Sequence, residues 1–284
     1  MTEEDEVVVK NRPRRSRSNP KGASPEIELG QHFLVDREVL EREVYYAELT
    51  DRDDVLEVGP GTGNLTELLV KRARRVVAIE RDRRFADRLT RLQQRHANLD
   101  VRWGDATKLT FPRFDKFVAN LPYRVALPVI FKVLDCDYRL AVVICQARMA
   151  ERICASVGEP GYCRLSVCVQ RLAAPTLLET VPPDAFSPPP EVESAIVLLK
   201  KARSSFAAPP DEFFKATLDA LFVHRYASVE EAIMSLKGKP FSGPALTMAV
   251  RTLDRKIRKK EIHNVPPREF GTIARAVWNG VRNS

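Results

Sequence analysis

Histidine and tryptophan are scarce in this 284-residue chain, with four and two copies, and its five cysteines never occur as Cys-x-x-Cys. Scattered imidazoles and unpaired thiols offer no zinc-ligand spacing, so no metal site is expected. Cys136, Cys145, Cys154, Cys163 and Cys168 fall in one stretch without any accompanying repeat, and their odd count suits reduced thiols packed as small apolar residues. No apolar run approaches the roughly 20 residues that span a bilayer. The first residues, with Glu3, Glu4, Asp5 and Glu6, resemble neither a secretory signal nor an acid-poor transit peptide. These absences predict a cytoplasmic protein without a membrane anchor.

What is present is enough apolar material, 44% of residues, for one large or two modest domains. The net charge of +8, from 46 Lys and Arg against 38 Asp and Glu, points to an anionic partner, with nucleic acid the natural candidate. Three segments are expected. Residues 1–25 carry Lys10, Arg12, Arg14, Arg15, Arg17 and Lys21 among prolines and serines and read as a disordered basic arm. Residues 26–203 read as an α/β domain that ends with a strand at Ala195–Leu199. After a linker from Ser204 to Pro210, residues 204–284 show helical spacing at Phe213, Phe214, Leu218, Leu221 and Phe222, at Val229, Ile233 and Leu236, and at Leu246, Val250, Leu253 and Ile257. On the last of these helices, Arg251, Arg255, Lys256, Arg258, Lys259 and Lys260 would spread over an exposed face able to straddle an RNA backbone.

The chemistry is concentrated in the first half. Asp54–Val58 reads as a short buried strand, Gly59-Pro60-Gly61-Thr62-Gly63 as a glycine turn, and Asn64–Arg72 as a helix with Leu65, Leu68 and Leu69 on one face. Such a unit cradles a nucleotide in a doubly wound α/β fold, because glycines let a ligand approach the backbone. A second strand, Arg75–Ile79, ends in Glu80, about 20 positions past Gly59, the offset at which a carboxylate takes a ribose hydroxyl pair. Asp105, after a third strand around Leu99–Val101, could accept from the amine of a cofactor's adenine or simply close a turn. A nicotinamide cofactor fits less well than S-adenosyl-L-methionine, because Asn64 stands where that fingerprint has a small residue and nothing downstream suits hydride transfer.

Asn120-Leu121-Pro122-Tyr123 follows the apolar-leaning run Phe114–Ala119. The Asn120 side-chain oxygen and the Leu121 carbonyl, held by Pro122, offer two acceptors to the hydrogens of a planar exocyclic amine, and Tyr123 offers a face for stacking. The 6-amino group of adenine is a poor nucleophile because its lone pair is delocalised into the ring. Two acceptors on its hydrogens favour a localised, pyramidal nitrogen, and the remaining task is to align an electrophilic methyl.

Further motifs follow in order: Gly30-Gln31-His32-Phe33-Leu34, Leu56-Glu57-Val58-Gly59-Pro60-Gly61-Thr62-Gly63, Ala78-Ile79-Glu80, Gly104-Asp105-Ala106, the Gln146–Arg152 segment, Gly161-Tyr162-Cys163-Arg164-Leu165-Ser166-Val167 and Val181-Pro182-Pro183-Asp184-Ala185-Phe186-Ser187-Pro188-Pro189-Pro190. With Asn120–Tyr123, this series resembles the KsgA-type ribosomal RNA adenine dimethyltransferases. The resemblance implies a Rossmann-like S-adenosylmethionine-dependent domain followed by a small helical RNA-binding domain. It implies cofactor contacts from His32, Leu34, Gly59, Gly61, Glu80, Asp105 and Asn120, and a target base sandwiched between Tyr123 and Phe186. It also implies a monomer that dimethylates two adjacent adenines near the 3′ end of small-subunit rRNA. Departures are His32 in place of an Asn, Ala147-Arg148 in place of Lys-Glu, and a less basic Phe222–Ala227. The rival expectations are an Erm-like large-subunit enzyme and a non-catalytic RNA-binding assembly or transcription factor on the same fold.

Overall fold

The computed structural model describes residues 32–202, 206–236 and 241–282. The expected basic arm, Gly30 and Gln31 therefore lie outside the described residues. The chain begins with β1 (Phe33–Leu34) and α1 (Arg37–Tyr46), the latter opened by Asp36, whose carboxylate accepts from the amides of Glu38 and Val39. Then come β2 (Asp54–Val58), α2 (Asn64–Leu69), β3 (Arg75–Glu80), α3 (Ala86–Arg95), β4 (Leu99–Trp103), β5 (Lys116–Asn120), α4 (Tyr123–Leu134), β6 (Leu140–Gln146), α5 (Ala147–Cys154), α6 (Arg164–Leu172), β7 (Ala173–Val181), β8 (Phe186–Ser187) and β9 (Ser194–Lys201).

Seven strands form one sheet in the order β4-β3-β2-β5-β6-β9-β7, with β2 to β6 parallel and β9 antiparallel to both its neighbours. This is the mixed α/β architecture expected from the sequence. Alternation along each strand sends Leu56, Phe117, Ala141 and Val143 to one face, where α4 packs Val129, Ile130 and Val133. Val55, Val76, Val118, Val142 and Ile144 point to the other face, against Val39, Leu40 and Val44 of α1 and Leu65 and Leu69 of α2. Both faces are covered, which is why the central strands are apolar throughout.

The chain runs outward from β2 to β4 and then returns to the other side of β2 as β5. Strand order reverses between β2 and β5, and a doubly wound sheet opens its ligand crevice at the carboxyl ends of such a pair. The opposite ends of these strands are fastened by a buried ion cluster. Asp53, fully buried, lies 3.2 Å from Lys116 Nζ and also pairs with Arg139. Burial raises the Asp53 pKa, but hydrogen bonds from Thr50 and Lys116 outweigh it and hold the carboxyl below its usual range.

After Phe206 the chain is helical: α7 (Asp211–Val223), α8 (Val229–Met234), α9 (Gly243–Thr252), α10 (Arg255–Arg258) and α11 (Pro267–Arg282). The single helix expected through Leu246–Ile257 is broken. Leu253 is extended, and the Asp254 side chain caps the Lys256 amide to start a new turn. Arg258 approaches Glu230 at 4.0 Å and Lys260 approaches Glu269 at 2.6 Å, which leaves Arg251, Arg255, Lys256 and Lys259 as the exposed cations of the run. The helical core also draws on the chain before Phe206. Tyr162 is fully buried among Phe222, Phe270 and Val265, and its hydroxyl donates to the Val265 carbonyl at 2.8 Å.

Two buried carboxyls carry a stability consequence. Glu43 on α1 is fully buried, and both its oxygens lack hydrogen-bond partners among the described residues. Burial, with nearby Glu57 adding to it, pushes its pKa well above the ordinary value of 4.5. Burial likewise pushes Glu57 up to about 8, against the hydrogen bond from Thr66 Oγ1 at 2.7 Å. The folded state thus keeps protons that the unfolded chain releases near 4.5, so stability falls as pH rises from about 5 to about 8. Glu43→Met is expected to flatten that slope and to stabilise the protein by about 1–3 kcal/mol at the alkaline end. Thermal melts across this range check it; a parent whose stability does not fall, or a variant melting lower at pH 8, contradicts the account.

Candidate active site

A cleft of about 610 Å³ lies at the carboxyl ends of β2, β3 and β4, lined by Val58, Gly59, Glu80, Asp105, Pro122 and Arg124 among others. Its size suits a small-molecule site. Two recesses continue it: one bounded by His32, Phe33, Gly61, Glu80 and Asn120, the other by Leu34, Glu57, Thr62, Asn64 and Asn120. The fold therefore brings His32, Leu34, Gly59, Gly61, Glu80, Asp105 and Asn120 to one connected space.

Glu80 ends β3 with 4% of its surface exposed. Its Oε2 accepts from the Gly61 amide at 2.9 Å, and its Oε1 from the amides of Arg81 at 2.8 Å and Asp82 at 2.7 Å. These donors fill about three of the roughly four lone-pair sites of a carboxylate, so a pair of incoming hydroxyls would share a narrow acceptor. Burial raises the Glu80 pKa, and the three amides hold the shift down.

Gly61 adopts φ +50°, and a Cβ there would come within 2.7 Å of the Phe33 ring. Gly59 has φ +76°, and its Cβ would lie 3.3 Å from Pro122. Side chains, rather than open space, thus approach the backbone at both glycines. Phe33 is braced in turn by Phe85, with ring centres 5.3 Å apart. Asp105 closes a turn, its Oδ1 accepting from Thr107 N at 3.0 Å and Thr107 Oγ1 at 2.7 Å, and these bonds lower its pKa. Its Oδ2 lies 3.8 Å from Arg81 on the cleft wall, so the turn and a site contact are compatible.

Asn120 is the last residue of β5. Its Nδ2 donates to the His32 carbonyl at 3.3 Å, which leaves Oδ1 as an acceptor. Leu121 buries its side chain and binds the Ile144 carbonyl through its amide, so only its own carbonyl is left to act on a ligand. Pro122, with φ −55°, turns the chain into α4, whose first residue is Tyr123. The Tyr123 ring lies 5.6 Å from that of His32, and His32 Nδ1 donates to the Pro188 carbonyl at 2.8 Å. Leu34 pairs with Phe186 in the two-stranded β1–β8 sheet, and the Leu34 carbonyl accepts from Asn64 Nδ2 at 3.0 Å.

Phe186, which the resemblance sets against the target base, lies in the core in this structure. It is 3% exposed, packed with Leu34, Leu40 and Ala185, and presents no open face for stacking. Sequence reasoning also passed over Arg83, whose guanidinium lies 4.6 Å over the Trp103 ring beside the cleft, and Arg124 on its rim. Lone arginines carry no local pattern that would mark them.

The donor set suits a nucleoside: a buried carboxylate, Glu80, for hydroxyls and a second carboxylate, Asp105, on the cleft wall. The ribosomal RNA adenine dimethylase family model matches residues 23–265. A probable ribosomal RNA small subunit methyltransferase A from Methanococcus maripaludis is 36% identical over 260 residues, covering 89% of this chain and 98% of the relative. The counterpart from Thermococcus kodakarensis is 41% identical over 212 residues, 74% of each chain. Among solved structures, a dimethyladenosine transferase from Plasmodium falciparum superposes with a TM-score of 0.75 at 29% identity, covering 85% of this chain and 96% of that one. The 23S rRNA methyltransferase ErmE gives 0.64 at 26%, covering 86% and 99%. With sequence motifs, sheet order and crevice all in agreement, this chain belongs to the ribosomal RNA adenine dimethylase family.

Proposed function

We propose that this enzyme uses S-adenosyl-L-methionine to dimethylate the 6-amino groups of two adjacent adenines in the 3′-terminal hairpin loop of small-subunit (16S-type) rRNA, as a step in building that subunit. The observation that carries the reading is Asn120, an oriented amide acceptor, opening onto the same crevice as the buried Glu80. Relatives named for the small subunit, and the lower structural likeness to the Erm enzyme, favour this substrate over large-subunit RNA.

Glu80 would accept from the donor's ribose, Asp105 from its adenine amine, and the His32–Leu34 and Gly59–Gly61 segments would flank its remainder. The donor supplies an electrophilic methyl. In the first transfer Asn120 Oδ1 and the Leu121 carbonyl accept the two hydrogens of the target amine and so localise its lone pair; the hydrogen left for the second transfer can bind only one of them, and each methylated nitrogen releases its proton to solvent. Tyr123 stacks on the extruded base, which an unpaired loop releases more readily than a duplex. Phe186 would have to swing out of its core position to complete a sandwich. No helix among the described residues is long and apolar enough to cross a membrane, and the enzyme is expected to act as a cytoplasmic monomer. Its catalytic unit is taken as residues 26–203 and its RNA-docking unit as 204–284, with Tyr162 joining their cores.

Incubation with methyl-labelled donor and separate immature small and large ribosomal subunits tests the substrate: label is expected in the small particle's RNA, and label only in the large particle overturns the assignment. Docking has its own test. Neutralising Arg255, Lys256 and Lys259 should flatten the salt dependence of RNA affinity, with the log–log slope falling by about 0.7–0.9 per lost phosphate contact. Donor affinity should stay unchanged. An unaltered slope would make these cations a merely solvated face.

A further inference from the structure

Tyr123 is held at its hydroxyl as well as along its ring. Its Oη lies 2.7 Å from Ser194 Oγ, a side chain with no exposed surface. Ser194 is the first residue of β9 and is laddered on both sides, to Gln146 of β6 and to Val181 of β7. Its backbone therefore has little freedom to shift. The segment leading from Phe186 to Ser194 also supplies the Pro188 carbonyl that fixes His32, whose ring lies against Tyr123. One stretch of chain thus braces Tyr123 through a direct hydrogen bond and through a neighbouring ring.

We propose that Ser194 is a positioning residue for the methyl transfer: its buried hydroxyl locks the Tyr123 ring in the orientation that stacks on the target adenine. This rests on the reading of Tyr123 as the stacking face. The physical basis is preorganisation. A tyrosine at the start of a helix turns about two side-chain bonds, and a hydrogen bond at the far end of the ring restricts both before substrate arrives. Burial pushes the Tyr123 phenol pKa up, which keeps it neutral and able to share a proton with Ser194. The mouth of the cleft adds a reason for such a lock, because Phe186 is packed away and gives the base no second aromatic face as the structure stands.

The test is a double-mutant cycle read by single-turnover methylation on the small-subunit particle, with donor affinity and melting temperature measured on each variant. Loss of one net hydrogen bond sets the scale at roughly threefold to tenfold. Ser194→Ala is expected to slow methyl transfer by about that factor, with donor affinity unchanged, and Ser194→Thr should restore part of the rate. In a Tyr123→Phe background the same Ser194→Ala change should do nothing, since the lock is already absent. Tyr123→Phe itself reads the lock from the other side, without altering β9, and should lose a similar factor. Two results overturn the proposal: a parental rate in Tyr123→Phe, or a Ser194→Ala loss of equal size in both backgrounds. Tyr123→Ala separates the two levels of argument. If it is strongly impaired while Tyr123→Phe and Ser194→Ala are parental, only the lock is wrong; if it is parental too, the stacking role falls.

Discussion

Asn120→Ala is expected to lose about 10²- to 10³-fold in single-turnover methyl transfer, the scale seen when one preorganised polar group is removed from a reacting centre. In the proposed reaction the Asn120 amide acts on the nitrogen that is methylated, and an apolar residue of any size supplies no acceptor for the amine hydrogen. RNA binding should persist, because the docking cations lie elsewhere and Tyr123 keeps its own bond to Ser194. Some donor affinity should go as well: Asn120 Nδ2 ties β5 to the His32 carbonyl, and both residues bound the same recess. Measured rates within a few-fold of the parent would remove the amine-gripping role.

Glu80→Ala is expected to weaken donor binding about ten- to a hundredfold, the equivalent of a charge-assisted contact of about 1.5–3 kcal/mol. The carboxylate also organises the turn, since the amides of Gly61, Arg81 and Asp82 all converge on it. Glu80→Gln keeps the side chain's shape and one accepting oxygen, while its NH2 must face the Gly61 amide or those of Arg81 and Asp82. Burial raises the Glu80 pKa, so the carboxylate begins to protonate at a higher pH than an exposed glutamate. Donor affinity should therefore decline on acidification from neutrality and recover as pH rises, and Glu80→Gln should erase that dependence. Calorimetry that finds parental affinity in folded Glu80→Ala, or the same pH profile in Glu80→Gln, contradicts the assignment.

The parts of the site legible in the sequence are those encoded by short local patterns. A buried strand, a glycine turn and a helix with leucines on one face place Gly59 and Gly61; a strand ending in a carboxylate places Glu80; Asn-Leu-Pro-Tyr at a strand end places Asn120 and Tyr123. Each requires only that strands lie parallel and side by side, which the apolar runs impose. Features set by distant partners were invisible. Ser194 stands just before the expected strand Ala195–Leu199 and carries no mark of its own until β9 inserts between β6 and β7 and brings it to Tyr123. Nothing local announces the pairing of Phe186 with Leu34. Glu43 sits in a polar-looking helix, yet its face turns inward onto the sheet. The Leu246–Ile257 spacing fitted one helix, but Asp254 competes for backbone amides and divides it. The helical core's dependence on Tyr162 likewise shows only when the chain folds back.

The central claim is that this crevice delivers methyl groups to the exocyclic nitrogen of adenine. It is tested most directly by reacting the protein with labelled donor and small-subunit particles, digesting one portion of the RNA to nucleosides and another to short oligonucleotides, and identifying and locating the labelled product by mass spectrometry. The account predicts 6-dimethyladenosine at two neighbouring positions, formed about 10²- to 10³-fold more slowly when Asn120→Ala replaces the parent. Label on a pyrimidine, on a ribose 2′-oxygen or on a ring carbon of adenine would contradict it.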